Sequence, residues 1–351
     1  MSGPATPFQL GYHLPAEWEP HESTWLSWPK NPLTFSPDLL EAVENTYREI
    51  VSLLANGERV DLLVDDEQME SRVSRLLGDI PGVAFHRIRT ADVWLRDYGP
   101  IFIRDGTVAA TKWRFNAWGN KYEDLLTDNR SGEEVAWAAA VKTFEVDFVL
   151  EGGSIDVNGR GTCLTTSQCL LNANRNPGMP RRSIEKTLEE FLGVTNVVWL
   201  EGGIIGDDTD GHVDDVARFT GTRNVVCMVE KDPSTFNHRN LDRDLNLLKE
   251  ARDEVDRELE ITTIDMPRKK VTGLATEDAL PASYANFYIG NEVVLVPTFG
   301  DVRDTDALST ISSLFPGRET LGINCESLVS GFGGIHCVTQ QQPRVPPDPG
   351  R

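Results

Sequence analysis

Cys337, His212, Asp97, Glu151 and Asp214 lie far apart in the chain, yet their types together can open a carbon–nitrogen bond. Cys337 ends the run Gly331-Phe332-Gly333-Gly334-Ile335-His336-Cys337, where three glycines let the backbone approach a ligand closely and take angles closed to other residues. A thiolate is a nucleophile, and an imidazole moves protons near neutral pH. Carboxylates sharing a pocket only accept hydrogen bonds and are costly to desolvate, so they favour a cation with matching donors. A guanidinium is such a cation, because its planar fork pairs bidentately with carboxylates, and once held it offers an electrophilic carbon. The set therefore points to displacement at that carbon. Cys337 adds, His212 protonates the departing nitrogen as ammonia, and a water deprotonated by His212 hydrolyses the amidino-thioether to a ureido product. Asp97 and Asp214 are expected to clamp the guanidinium, with Glu151 holding His212 charged and oriented. Carboxylates raise a thiol pKa and a bound cation lowers it, so substrate is expected to promote its own nucleophile.

These residues meet only if the chain repeats a unit that returns them to one place. Hairpin signals occur at Asp105-Gly106, Asn158-Gly159, Gly221-Thr222-Arg223-Asn224 and Gly290-Asn291, flanked by strand-forming runs. Helices are predicted after them at 131–142, 181–192, 241–259 and 303–314, followed by strands at 146–150, 194–200, 260–264 and 319–323. Ahead of them, Ser36-Pro37 starts a helix that Gly57 ends; then come a strand at 60–64, a helix at 67–77 and a strand at 83–88. The unit is strand, strand, helix, strand, and about five copies make an α/β ring of the propeller kind. Asp97, Glu151 and the His212/Asp214 pair each fall just before a hairpin, so equivalent loops should bring them to one cavity. One catalytic domain over 1–343 with a Pro-rich tail at 344–351 is expected.

The 351 residues carry 55 acidic against 34 basic side chains, a net charge of -21, which argues against nucleic acid or an anionic membrane and suits a small cation. The segment MSGPATPFQL has no signal-peptide pattern and no window nears 18 apolar residues, so a cytoplasmic protein is expected. Five cysteines without a CxxC pair read as free thiols. No cofactor and no metal are expected. Aligning Gly211 with the glycine of a calcium loop leaves Gly206 and Ala217 at ligand positions, and a zinc set of His212, Asp214 and Cys337 lacks an HxxxH pair. Self-association is left open.

Several residues have two readings. Trp94 can cover a guanidinium face or belong to the core. Arg96 can balance the nearby acids. Asp208 and Asp210 can bind the distal amine of a diamine-like substrate or shape a turn. Glu201-Gly202-Gly203 duplicates Glu151-Gly152-Gly153 and competes for the histidine. His21 and His336 read as structural, the latter pointing away from Cys337 if their segment is a strand. Trp18, Trp25 and Trp28 read as packing.

Trp94-x-Arg96-Asp97-x-Gly99-Pro100, Glu151-Gly152-Gly153-Ser154-Ile155, 207–214 with its Gly211-His212-Val213-Asp214, and Gly333-Gly334-Ile335-His336-Cys337-Val338-Thr339 run in the order that resembles the agmatine deiminase and bacterial peptidyl-arginine deiminase family. The resemblance spans about Trp18 to Pro343. It implies the five-bladed pentein α/β-propeller and hydrolysis of agmatine to N-carbamoylputrescine and ammonia; free arginine, peptide arginine and amidino transfer are its alternatives, and a silent guanidinium-binding protein is the non-enzyme one. It also implies Cys337 as nucleophile, His212 as acid/base, Asp97 and Asp214 as guanidinium carboxylates, and Glu151 as the histidine's partner. Phe332 stands where the agmatine enzymes usually carry glycine and Gly334 where many have asparagine, both at the pocket rim. Activity is expected to fall about 100-fold or more for Glu151→Gln and to hold for Glu201→Gln; steady-state assays giving the reverse pattern overturn the choice.

Overall fold

The computed structural model describes residues 5–78, 80–268, 271 and 279–345. The strands are β1 (His21–Ser27), β2 (Arg59–Val64), β3 (Val83–Arg87), β4 (Ile101–Asp105), β5 (Thr107–Arg114), β6 (Lys142–Val149), β7 (Ile155–Val157) and β8 (Thr162–Thr166). They continue as β9 (Asn196–Leu200), β10 (Ala217–Phe219), β11 (Asn224–Val229), β12 (Glu260–Asp265), β13 (Tyr288–Ile289), β14 (Val293–Thr298), β15 (Glu319–Asn324) and β16 (Thr339–Pro343). All four hairpin signals hold, turning β4 into β5, β7 into β8, β10 into β11 and β13 into β14, each pair antiparallel. A helix then carries the chain to a third strand parallel to the second. The result is five small mixed sheets, the blades of an α/β-propeller.

Helices at Pro37–Leu54, Glu67–Leu77, Arg181–Leu192 and Asp304–Leu314 lie where periodicity put them. Two others shift for local reasons. The helix predicted at 131–142 runs over Asp128–Ala138, because Ala140 turns left-handed at φ 54 and Lys142 already belongs to β6. The one predicted at 241–259 runs over Phe236–Glu250. Thr235 caps its start by accepting from the His238 N–H at 3.0 Å, and Asp253 folds the chain after it by accepting from the N–H groups of Val255 and Arg257.

The fifth blade joins the two ends of the chain: β16 pairs antiparallel with β1, and β1, β2 and β3 follow in parallel. The Trp25 indole donates to Gln342 Oε1 across this seam at 2.9 Å, and Trp25 and Trp28 are core residues with Trp18 packed against them. Strands such as β8 and β14 are buried almost throughout, as expected of strands covered on both faces. The turns that matter precede the first strand of each blade: Leu95–Tyr98 before β4, Gly152–Ser154 before β7, Val213–Asp215 before β10, residues 283–287 before β13, and Ile335–Val338 before β16. Among the described residues no helix is long and apolar enough to cross a membrane. The proposed tail at 344–351 lies, from 346 onward, outside the described residues.

Leu26 is fully buried in the seam, level with Thr339 on one side and Leu62 on the other. Leu26→Ala is expected to cost about 2–5 kcal/mol of stability, read as a lower urea midpoint at unchanged slope; an unshifted midpoint means the seam does not hold the ring.

Candidate active site

Gly153 is the point on which the site converges. Its N–H donates to Asp97 Oδ1 at 3.0 Å, and a Cβ built on it would meet His212 Nδ1 at 2.6 Å, Asp97 Oδ1 at 2.9 Å and Asp214 Oδ2 at 3.0 Å. Two turns thus deliver an imidazole and two carboxylates onto a third, at a spot where only glycine leaves room. Asp97 Oδ2 also accepts from the Trp118 indole at 2.9 Å. His212 lies with Nδ1 3.8 Å from Asp97 Oδ1 and Nε2 3.9 Å from Glu151 Oε2. Asp214 Oδ2 bonds His336 Nδ1 at 2.7 Å and sits 3.8 Å from the Cys337 sulfur, which receives the Asn286 amide at 3.2 Å.

The run 331–337 works differently from its sequence reading. Residues Ile335–Val338 form a helical turn, not a strand, so successive side chains are about 100° apart and His336 does not turn away from the site. It bridges Asp214 and Glu17, the latter at 2.9 Å. The left-handed residue of the run is Phe332, at φ 72, rather than any of the glycines. Gly333 is needed for space, because its Cβ would fall 2.3 Å from the Trp94 ring. Gly334 packs against Asn286 and does not line the cavity.

A cavity of about 420 Å³ opens above this floor. Cys337 and Asp97 lie at its base, Trp94 and Trp118 form walls, and Leu33 (81% exposed) and Phe332 (41% exposed) form part of the rim. Asp92, Asp124 and Asp208 add carboxylates, and among the described residues the lining holds no lysine, arginine or histidine. Asp208 accepts from the Tyr122 hydroxyl. Asp210 does not line the cavity; it is tied to Arg175 at 2.7 Å and Lys121 at 2.8 Å, which removes it as an amine ligand. Arg96 pairs with Glu17 and Gln341 rather than with Asp97, bracing the segment behind Cys337. His21 bonds Glu58 and the Glu17 carbonyl, as a structural histidine. Glu201 is exposed and paired with Arg243, so of the two Glu-Gly-Gly copies it is Glu151 that lies beside His212.

Burial and then Asp214, Asp215 and Asp97 push the Cys337 thiol well above its usual pKa. Burial opposes the charged form of His212, but Asp97, followed by Cys169 and Glu151, outweighs it and holds the imidazolium. Glu151 is disfavoured as an anion by burial and kept ionised by Arg175 and His212. Asp214 is kept ionised against burial by its hydrogen bond to His336. Asp97 is pushed up to about 6, chiefly by burial. These directions favour a thiol beside an imidazolium when no cation is bound.

The Porphyromonas-type peptidyl-arginine deiminase profile matches residues 13–343. The chain belongs to that family. An agmatine deiminase of Stutzerimonas stutzeri is 34% identical over 365 residues, covering 97% of each chain. The solved agmatine deiminase of Enterococcus faecalis, described as catalysing its reaction, superposes with TM-score 0.91 at 32% identity over 98% of this chain and 99% of its own. A Cys→Ser variant of the C. jejuni agmatine deiminase with substrate bound superposes with TM-score 0.86 at 30% identity, over 95% of this chain and 96% of its own. These likenesses establish the pentein propeller for this chain.

Five residues around the family site went unread in the sequence: Trp118, Asn286, Arg175, Glu17 and Cys169. Asn286 had a signal, since it stands before the β13–β14 hairpin where the other blades carry Asp97, Glu151 and His212. Glu151, Cys169 and His212 present ligand atoms within 4.8 Å of one another, a different set from the His212, Asp214 and Cys337 weighed for zinc. A metal there would compete with the 2.6 Å Arg175–Glu151 pair and with the charge on His212, so the donor set suits its own cations better.

Asp97 must be ionised to hold a cation, so kcat/KM is expected to fall about tenfold per pH unit below about pH 6. Trp118→Phe removes a donor to the anion and should move that acid limb to higher pH; a limb unmoved in the variant disconnects it from Asp97.

Proposed function

We propose that the chain deiminates agmatine, hydrolysing its guanidinium to give N-carbamoylputrescine and ammonia. The observation that carries this is the charge of the cavity: Asp97 at the base and Asp92, Asp124 and Asp208 among the lining, with no basic side chain among the described residues that line it. A guanidine with a second ammonium meets a counter-charge at both ends. The α-carboxylate of free arginine meets none, and a peptide arginine leaves the distal carboxylates without a partner.

Asp97 and Asp214 take the guanidinium nitrogens, Trp94 lies over the flat cation, and Asp208 takes the distal ammonium. The bound cation opposes the carboxylates that hold Cys337 as a thiol, and the Asn286 amide supports the sulfur as it becomes anionic. The thiol proton passes to solvent water and the sulfur adds to the guanidinium carbon. The His212 imidazolium gives its proton to one terminal nitrogen, and the carbon–nitrogen bond breaks to release ammonia, leaving an S-alkylthiouronium on Cys337. Neutral His212 then takes a proton from water, hydroxide adds to the same carbon, and the carbon–sulfur bond breaks as the added hydroxyl gives its proton to the departing sulfur, returning the thiol and releasing the ureido product. The Cys→Ser relative described with substrate bound supports a cysteine as the nucleophile. The cysteines of the chain are free thiols, which supports a reducing, cytoplasmic setting.

Ammonia release from agmatine, free arginine, a peptide arginine and arginine methyl ester tests the reading. Agmatine is expected to be preferred by about 100-fold or more in kcat/KM over free arginine, and Cys337→Ser to abolish turnover of all four. Preference for a carboxylate-bearing guanidine overturns the substrate; turnover by the variant overturns the nucleophile; amidino transfer to an added amine without free ammonia overturns the reaction type.

A further inference from the structure

Arg175 lies outside the cavity, yet its side chain is fully buried and its donors reach in two directions. Nε bonds Glu151 Oε1 at 2.6 Å. On the other edge, Nη2 bonds the Thr209 carbonyl and Nη1 bonds Asp210 Oδ2, both at 2.7 Å. Thr209 and Asp210 directly follow Asp208, which lines the cavity. A guanidinium is a rigid plane, so a shift of the 208–210 segment at one edge is delivered to the carboxylate at the other.

That carboxylate stands just short of its task. Its second oxygen is 3.9 Å from His212 Nε2, beyond hydrogen-bond range, and Nε2 is a buried polar atom with no partner. Completing this contact needs a movement of under about 1 Å, and an orphaned buried donor favours it.

We propose that Arg175 is a positioning residue that links occupancy of Asp208 by the substrate's distal ammonium to the seating of Glu151 on His212. The distal charge then speeds the chemistry as well as tightening binding, because remote binding is spent on aligning the acid/base group. This rests on the agmatine reading.

The test compares agmatine with n-butylguanidine, which keeps the guanidinium and the four-carbon chain but lacks the amine. In the wild type kcat is expected to drop about tenfold or more from the first to the second. In Arg175→Gln both kcat values should fall as Glu151 loses its buried partner, and the agmatine to n-butylguanidine kcat ratio should shrink to below about threefold. Asp210→Ala removes the side-chain half of the same link at its less buried end, leaving the Thr209 carbonyl contact, and should narrow the ratio likewise, which decides the matter should Arg175→Gln fail to fold. A role in stability alone lowers both substrates by one factor, and an unchanged kcat ratio in a folded variant overturns the proposal. A wild-type defect confined to KM for n-butylguanidine also overturns it. Ammonia release from neither compound instead overturns the deiminase reading itself.

Discussion

Carboxylates gathered under a cavity repel one another and the thiol among them, and the centre of this ring is built around containing that repulsion. Two unit charges 4 Å apart interact by roughly 4 kcal/mol at the effective dielectric of such a site, so each uncompensated pair is a sizeable share of a protein's net stability. Glu151 is answered by Arg175, Asp214 by His336, and Glu17 by Arg218, His336 and Arg96 together. Asp97 is treated differently. Its hydrogen-bond donors are the neutral Gly153 N–H and Trp118 indole, with His212 at 3.8 Å. It is the carboxylate left with room for an external cation, and burial followed by the neighbouring Asp214 and Glu151 keeps its pKa raised.

The cost of keeping Trp118 on Asp97 is visible in the backbone. Ala117, Trp118, Gly119 and Asn120 all have positive φ, a left-handed turn in which the three non-glycine residues each cost about 1–3 kcal/mol. The Asn116 side chain accepts from the Gly119 N–H at 2.8 Å and donates to the Asn174 carbonyl at 2.9 Å, pinning the turn in place. Strain of this kind persists where surrounding contacts over-determine it, and here it orients one indole against the substrate-facing acid.

What the sequence made legible was local. Turn dipeptides such as Asp105-Gly106 and Asn158-Gly159 carry their geometry in their own residue types, and four of them at regular separation disclosed the repeat and hence the convergence of Asp97, Glu151, His212 and Asp214. Helix limits were legible except where a single backbone choice decided them, as at Ala140. Arg175, Trp118 and Glu17 were not legible, because each acts through partners brought near only by the closed ring. The strand considered for the segment of His336 failed for a related reason: strand and helical turn place a neighbour of Cys337 on different sides, and four residues carry too little periodicity to tell them apart.

The seam between β1 and β16 joins residues as far apart as Ser23 and Gln342, 319 positions along the chain. Contacts of such separation form late, since the loop entropy is lost before the pairing rewards it. Cys337 sits in the turn that leads directly into that last strand. Closure of the ring and assembly of the nucleophile's surroundings are thus one event: during synthesis the other four blades can fold with their carboxylates in place while the thiol is still absent. A chain caught before closure carries a cation-binding half-site with no chemistry, and reactivity begins only when the architecture is whole.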